Sequence, residues 1–78
     1  MNNQEIVQQE FSIHKLWIGY PSKNSIEFSG TEQECKDNLQ HCISVSKRNG
    51  ADIVSEDEYQ YTCDNYGCHG ETVQFIIQ

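Results

Sequence analysis

The sequence predicts a small α+β protein in which one amphipathic helix packs on a four-stranded, mainly antiparallel sheet, in the order ββαββ. Three observations lead to this fold class. Apolar residues recur with helical spacing over about residues 32–48, short segments rich in β-branched and aromatic residues lie on both sides of it, and the connections between them are short. The 78 residues include one proline and no Gly/Ser-rich linker, so we expect a single domain over residues 1–78.

Two strands are predicted before the helix. Residues 1–10 are mostly polar and are expected to be flexible or to add an edge strand. Residues 11–20 are rich in strand-forming residues and end at a proline, which indicates a strand. The continuous apolar run at residues 16–18 suits a strand that is covered on both faces or carries a bulge. Residues 21–24 have the composition of a turn, and residues 25–29 alternate as the returning strand.

The helix has a start signal, an apolar stripe and a stop signal. Thr31 and Glu34 have the spacing of a capping box, in which the Thr31 side chain accepts from the Glu34 N–H and the Glu34 carboxylate accepts from the Thr31 N–H. Basic residues in the last turn and the following Asn49-Gly50 favour termination there. The stripe consists of Cys35, Leu39, Cys42, Ile43 and Ser46.

The segment after the helix is predicted to supply the other two strands. Residues 51–55 begin the third strand, and residues 56–58 are either a turn or the exposed middle of one long strand that continues through residues 59–63. Residues 64–67 have turn composition, and residues 71–78 form the final strand. That strand places Val73, Phe75 and Ile77 on one face.

Composition excludes several classes of function. Twelve acidic and five basic residues give a net charge of −7, which argues against a protein that binds nucleic acid through its own basic face. No run of 18 apolar residues and no signal-like start is present, so we expect a cytoplasmic protein with no membrane association. The sequence lacks Gly-rich phosphate loops and nucleophile motifs, so we expect no enzyme activity and no catalytic residues.

The negative charge is concentrated at one end of the chain. Residues 1–48 carry a net charge of −1, whereas residues 49–78 carry −6 and contain no Lys or Arg. Tyrosines, which are enriched in interface hot spots, are interleaved with these acids. The predicted partner-binding residues are Asp52, Glu56, Asp57, Glu58, Tyr59, Tyr61, Asp64, Tyr66 and Glu71.

This distribution predicts a non-enzymatic interaction or inhibitor protein. Its surface is expected to bind a basic surface of a larger protein, including one that binds nucleic acid, and to act as a nucleic-acid mimic without contacting nucleic acid itself. Size and charge are those of phage or mobile-element anti-defence proteins, including anti-CRISPR proteins, which act in the host cytoplasm. An alternative is an oligomeric assembly subunit, such as a homodimer, that completes a small core by self-association.

Cysteine and histidine suggest a second alternative, a small zinc-binding module. Cys63, Cys68 and His69 place three soft ligands within seven residues, although the C-x4-C spacing is loose for zinc. The same cysteines could form a disulfide across a four-residue loop or remain free thiols beside a turn. No other cofactor is indicated. A fourth zinc ligand would come from Cys35, His41 or Cys42, although the positions of the two cysteines on the apolar stripe favour core packing.

Overall fold

The computed structural model describes residues 9–78, which form one helix packed on one face of a five-stranded antiparallel sheet. The spatial order of the strands is β2-β1-β5-β4-β3, and the helix contacts all five of them. In chain order the elements are β1 (Phe11–Trp17), β2 (Ser25–Gly30), α1 (Glu32–Arg48), β3 (Asp52–Glu56), β4 (Gln60–Tyr66) and β5 (Glu71–Ile77), with a short 3-10 turn at Pro21–Lys23.

The α+β class is confirmed, but four strands in the order ββαββ is wrong, because three strands follow the helix. The difference lies at residues 56–58, which the sequence left open between a turn and a continuous strand. Asp57 turns the chain there: its carboxylate accepts the backbone N–H groups of Tyr59 and Gln60, and its own N–H donates to the Gln60 carbonyl. The segment therefore becomes a hairpin of β3 and β4.

The helix begins and ends as predicted. Both hydrogen bonds of the capping box are present, from the Glu34 N–H to Thr31 Oγ1 and from the Thr31 N–H to Glu34 Oε1. At the other end, Asn49 caps the last turn and Gly50 follows with a φ of +91°, a left-handed conformation that glycine adopts without steric cost. Local sequence alone accounts for both ends.

The core lies between α1 and one face of the sheet. The helix contributes four buried residues of the predicted stripe, while Cys42 remains half-buried. The predicted inner face of the last strand is also confirmed. The buried apolar residues are Ile13, Cys35, Leu39, Ile43, Tyr61, Cys63, Val73, Phe75 and Ile77.

Both edge strands contain a bulge. Glu27 is the extra residue of β2, between the Ile13–Phe28 and His14–Ile26 pairs, and Val54 is the extra residue of β3. The bulge that was one alternative for residues 16–18 is not found in β1, whose pairing with β5 is regular through Trp17; the β2 bulge lies opposite Ile13 and His14. A bulge disrupts regular pairing with a further strand, which protects exposed sheet edges from aggregation.

Residues 1–8, and with them most of the predicted flexible or edge-strand segment 1–10, lie outside the described residues. Gln9 and Glu10 are exposed and precede β1. The strand predicted at residues 11–20 ends at Trp17, whose carbonyl accepts from the Tyr20 N–H in a turn. Within residues 9–78, no helix combines the length and apolar character needed to cross a bilayer.

Candidate functional site

Three of the six acidic residues predicted to meet a partner, Asp57, Glu58 and Glu71, take part in a turn or an ion pair within the fold. Asp57 accepts from the backbone N–H groups of Tyr59 and Gln60, at 2.8 and 3.1 Å, and from Gln60 Nε2 at 3.2 Å. These donors, the Tyr59 N–H foremost, favour the ionised carboxylate and lower the pKa of Asp57. Asp57 therefore stabilises the β3–β4 turn.

Glu58 and Tyr59 connect this turn to the first half of the helix. Lys36 Nζ lies 3.0 Å from Glu58 Oε1 and 3.7 Å from Glu32 Oε2. The same ammonium lies 4.6 Å from the centroid of the Tyr59 ring, and the Tyr59 hydroxyl donates to Glu32. Hydrogen bonding to Glu58 is the main cause of a raised Lys36 pKa. The two residues join α1 to the hairpin, and Tyr59 remains 40% exposed.

Glu71 is also paired. Lys23 Nζ lies 3.4 Å from Glu71 Oε2, and the Glu71 side chain is only 13% exposed. Lys23 is in addition placed 4.7 Å from the centroid of the Trp17 ring. Its position at the start of β5 makes Glu71 part of the contact between that strand and the β1–β2 connection.

Tyr61 lies inside the fold, which removes it from the predicted surface, and Tyr66 is only partly exposed. Tyr61 is 0% exposed, its ring stacks on Phe75 with centroids 4.6 Å apart, and its hydroxyl shares a 3.0 Å hydrogen bond with Ser46 Oγ. Tyr66 is half-buried and packs edge-on against Trp17 and Phe75, at 5.4 and 6.0 Å. Strand alternation turned Tyr61 toward the helix, where an aromatic ring adds most to the core.

Three other predicted acids are exposed in the β3–β4 hairpin and form no ion pair within residues 9–78. We call Asp52, Glu56 and Asp64 the acidic edge; the first two lie on edge strand β3 and the third on β4. Asp52 and Asp64 are directly opposite each other in the β3–β4 register. Because their neighbours Ile53 and Cys63 face the core, these two carboxylates lie on the outer side of the sheet.

Each opposed carboxylate is held by one polar neighbour. The Asn65 side-chain amide donates to Asp52 Oδ2, and the Thr72 hydroxyl donates to Asp64 Oδ1 at 2.7 Å. Asn65 adopts a φ of +57°, which asparagine tolerates better than most residues, at an irregularity of β4. Lys47 in the last turn of α1 borders β3, so the acidic edge and this lysine together carry a charge of −2.

The cysteines and histidines predicted as zinc ligands are not brought together. Cys63 is 0% exposed in the core, whereas Cys68 and His69 are exposed in the β4–β5 turn. Among residues 9–78, no three His, Cys, Asp or Glu side chains are grouped closely enough to hold a metal ion. The candidate fourth ligands Cys35, His41 and Cys42 all belong to α1.

All four cysteines are free thiols, so Cys63 and Cys68 form no disulfide. Burial is the main cause of a raised pKa for the thiols of Cys35, Cys42 and Cys63. A raised pKa reduces the thiolate fraction, so these three residues are poor nucleophiles and poor metal ligands at neutral pH.

Sequence reasoning missed a cleft between the second half of α1 and the sheet. It has a volume of about 530 Å³, and its walls include Tyr66 and Phe75 of the sheet and Val45 of the helix. Lys15 of β1 lies beside it, with Nζ 4.8 Å from the centroid of Tyr66 and 5.7 Å from that of Phe75. The sequence did contain a signal for this cleft, because the charged Lys15 occupies an inward position between Ile13 and Trp17 in the alternation of β1.

Comparisons with protein-family models, with curated protein sequences and with solved structures find no match to this chain. Its function is therefore argued from its own geometry.

Proposed function

We propose that this chain is a small non-enzymatic binding protein whose acidic edge docks on a basic surface of a larger protein. A surface that normally binds nucleic-acid phosphates is the preferred target, because the spaced carboxylates of the edge would take the place of phosphates beside Arg and Lys. An inhibitor of this kind, such as a phage or mobile-element protein directed against a host defence system, would work by occluding that surface in the cytoplasm.

One observation carries the proposal: Asp52 and Asp64 face each other across two neighbouring strands. Like charges directly opposite in a sheet destabilise it, so this pair lowers the stability of a small fold. Hydrogen bonds from Asn65 and Thr72 hold both carboxylates in place. Two carboxylates that repel each other, and are nevertheless held in place by hydrogen-bond donors, are typical of a binding surface. There a cationic partner would relieve the repulsion between them.

The electrostatics of the rest of the hairpin support the same surface. Glu58 and Glu71 are neutralised by Lys36 and Lys23, and Asp57 is engaged in its turn. Among the described residues, the negative charge of the β3–β4 hairpin that is in no ion pair is carried by the acidic edge and by Asp57 at the turn. Such a local field increases the association rate with a basic partner and makes binding depend on ionic strength.

The test begins with capture of partners from bacterial lysates by the immobilised protein, followed by titration of the purified partner. The affinity is expected to fall at least about tenfold between 0.05 and 0.5 M NaCl, because added salt shortens the Debye length from roughly 14 Å to about 4 Å. A short duplex that binds the same partner should compete. Binding that is indifferent to salt, or unaffected by saturating duplex, would contradict the proposal.

A matched pair of variants separates the acidic edge from bulk charge. Asp52→Asn combined with Asp64→Asn removes two charges from the edge, and Glu10→Gln combined with Asp37→Asn removes two exposed charges elsewhere. The first double variant should weaken binding at least about fivefold more than the second, since only the edge charges are close to the partner. Equal losses would mean that net charge alone drives association.

A further inference from the structure

The cleft beside the helix is a separate feature from the acidic edge. Its floor is aromatic: Phe75 stacks on Tyr61 with the ring planes 6° apart, and Tyr66 meets Phe75 at 62°. The hydroxyl of Tyr61 is already bonded to Ser46, so the floor presents mainly ring carbon. The residues that line it are Glu27, Cys42, Val45, Ser46, Asn49, Ala51, Tyr61, Asn65, Tyr66, Gly67, Cys68 and Phe75.

The dimensions and the walls are those of a small-molecule site. A volume of about 530 Å³ falls within the roughly 300–1,000 Å³ that ligand pockets occupy. Two residues on its walls, Glu27 and Asn65, lie at strand irregularities, where the ladder of hydrogen bonds is interrupted. Bulges commonly redirect side chains next to functional sites, and here two of them border the same cleft.

Lys15 lies next to the lining residues and places a cation beside two of the cleft's aromatic rings. Its ammonium lies 4.8 to 5.7 Å from the ring centroids of Trp17, Tyr66 and Phe75. Within residues 9–78, no carboxylate lies within 4.0 Å of it, whereas Lys23 and Lys36 are both in ion pairs. The rings exclude part of the water around this half-buried cation, so an anion with a flat apolar body would find a charge partner and a surface to pack on.

We propose that the cleft binds a small aromatic monocarboxylate. The ligand carboxylate accepts hydrogen bonds from Lys15 Nζ, and its ring packs against Tyr66 and Phe75. Glu27, which lines the cleft from the neighbouring strand β2, repels a second negative charge, which disfavours dianions, and the net charge of −7 disfavours polyanions. The inference rests on residues outside the acidic edge, so it stands or fails separately from the proposed protein partner.

The test compares three probes that differ in one group: 3-phenylpropionate, 3-phenylpropionamide and 3-phenylpropylammonium. Each is titrated to about 20 mM while backbone amide NMR shifts are followed, with the fluorescence of Trp17 as a second readout, since that ring contacts Tyr66. Saturable shifts are expected at Tyr66, Gly67 and Cys68. The carboxylate should bind about fivefold tighter than the amide, as expected for one ion pair at a partly exposed site, and the ammonium weakest.

Variants test whether Lys15 causes the preference for the carboxylate over the amide. Lys15→Met removes the ammonium but keeps an apolar stem, and it should make the carboxylate and the amide bind equally. Lys23→Met is the matched control, because it also removes one positive charge beside Trp17, yet the Lys23 ammonium faces Trp17 and Tyr20 rather than Tyr66 and Phe75 of the cleft. It should leave the selectivity intact. Val45→Trp should fill the cleft and abolish the shifts from all probes.

Several outcomes would overturn the proposal. They are an absence of saturable shifts in the wild type, shifts confined to another surface, equal binding of carboxylate and amide, or tightest binding of the ammonium. The wild-type comparison decides the matter even if Lys15→Met does not fold, and Lys15→Gln then takes its place.

Discussion

Neutralising one member of the Asp52–Asp64 pair should stabilise the protein. The two residues are register partners in the β3–β4 hairpin, and each accepts a hydrogen bond from a neutral neighbour, Asn65 or Thr72. Asp→Asn at either position keeps a side-chain oxygen that can accept the same hydrogen bond. The substitution therefore removes charge repulsion while changing little else.

The magnitude follows from the geometry of the pair. Side chains opposite in an antiparallel sheet have Cβ atoms about 5 Å apart. Two unit charges about 6 Å apart in water repel by roughly 0.7 kcal/mol, within the range of about 0.2–1 kcal/mol for cross-strand pairs. We expect Asp52→Asn or Asp64→Asn to raise the free energy of unfolding by about 0.5 kcal/mol, or the Tm by about 2–4 °C. The second substitution should add almost nothing.

The assay is urea unfolding of the wild type, both single variants and the double variant, at 0.02 and 0.5 M NaCl. Glu10→Gln is the control, because it removes the same net charge from an exposed residue outside the pair. The stabilisation should shrink at high salt, as screening already weakens the repulsion. Destabilisation by both single variants, or a double variant equal to the sum of the singles, would refute the reasoning that this pair is in repulsion.

Three further predictions concern the interior and the turn. Tyr61→Phe leaves the buried Ser46 hydroxyl without its hydrogen-bond partner and should lower the free energy of unfolding by about 1–2 kcal/mol. Adding Ser46→Ala should recover part of that loss, and a strictly additive double-mutant cycle would contradict the coupling. Because Asp57 has a lowered pKa, its contribution to stability is present above the unfolded-state pKa of about 3.9 and is lost as the pH falls through the pKa of the folded state. Asp57→Asn should flatten this part of a stability–pH profile, and an unchanged profile would count against the role of Asp57 in the turn. Cys68 is exposed, whereas burial raises the pKa of the other three thiols, so a thiol reagent at pH 8 should label one cysteine rapidly in the native protein. Rapid labelling of a Cys68→Ser variant would contradict this prediction.

In our proposals, the acidic edge and the cleft have different tasks in one small fold. The edge is negative and lies on the β3–β4 hairpin, whereas the cleft has a cation beside an aromatic floor. The proposed protein partner would meet the first, and a small anion would occupy the second.

The sequence by itself determined the elements whose signals are local. The helix, its capping box and its stop at Asn49-Gly50 depend on contacts within a few residues, and alternation in β5 correctly placed Val73, Phe75 and Ile77 toward the core. The concentration of negative charge after residue 48 is likewise a property of the sequence alone.

Only the tertiary structure decided which acids and tyrosines remain available to a partner. Lys36 and Lys23, distant in sequence, neutralise Glu58 and Glu71, and packing against Ser46 and Phe75 takes Tyr61 out of the surface. Charge can be counted along a chain, but its neutralisation and its burial depend on residues that meet only after folding. For the same reason the cleft beside Lys15 was not foreseen, since its walls come from the helix and from strands far apart in the sequence.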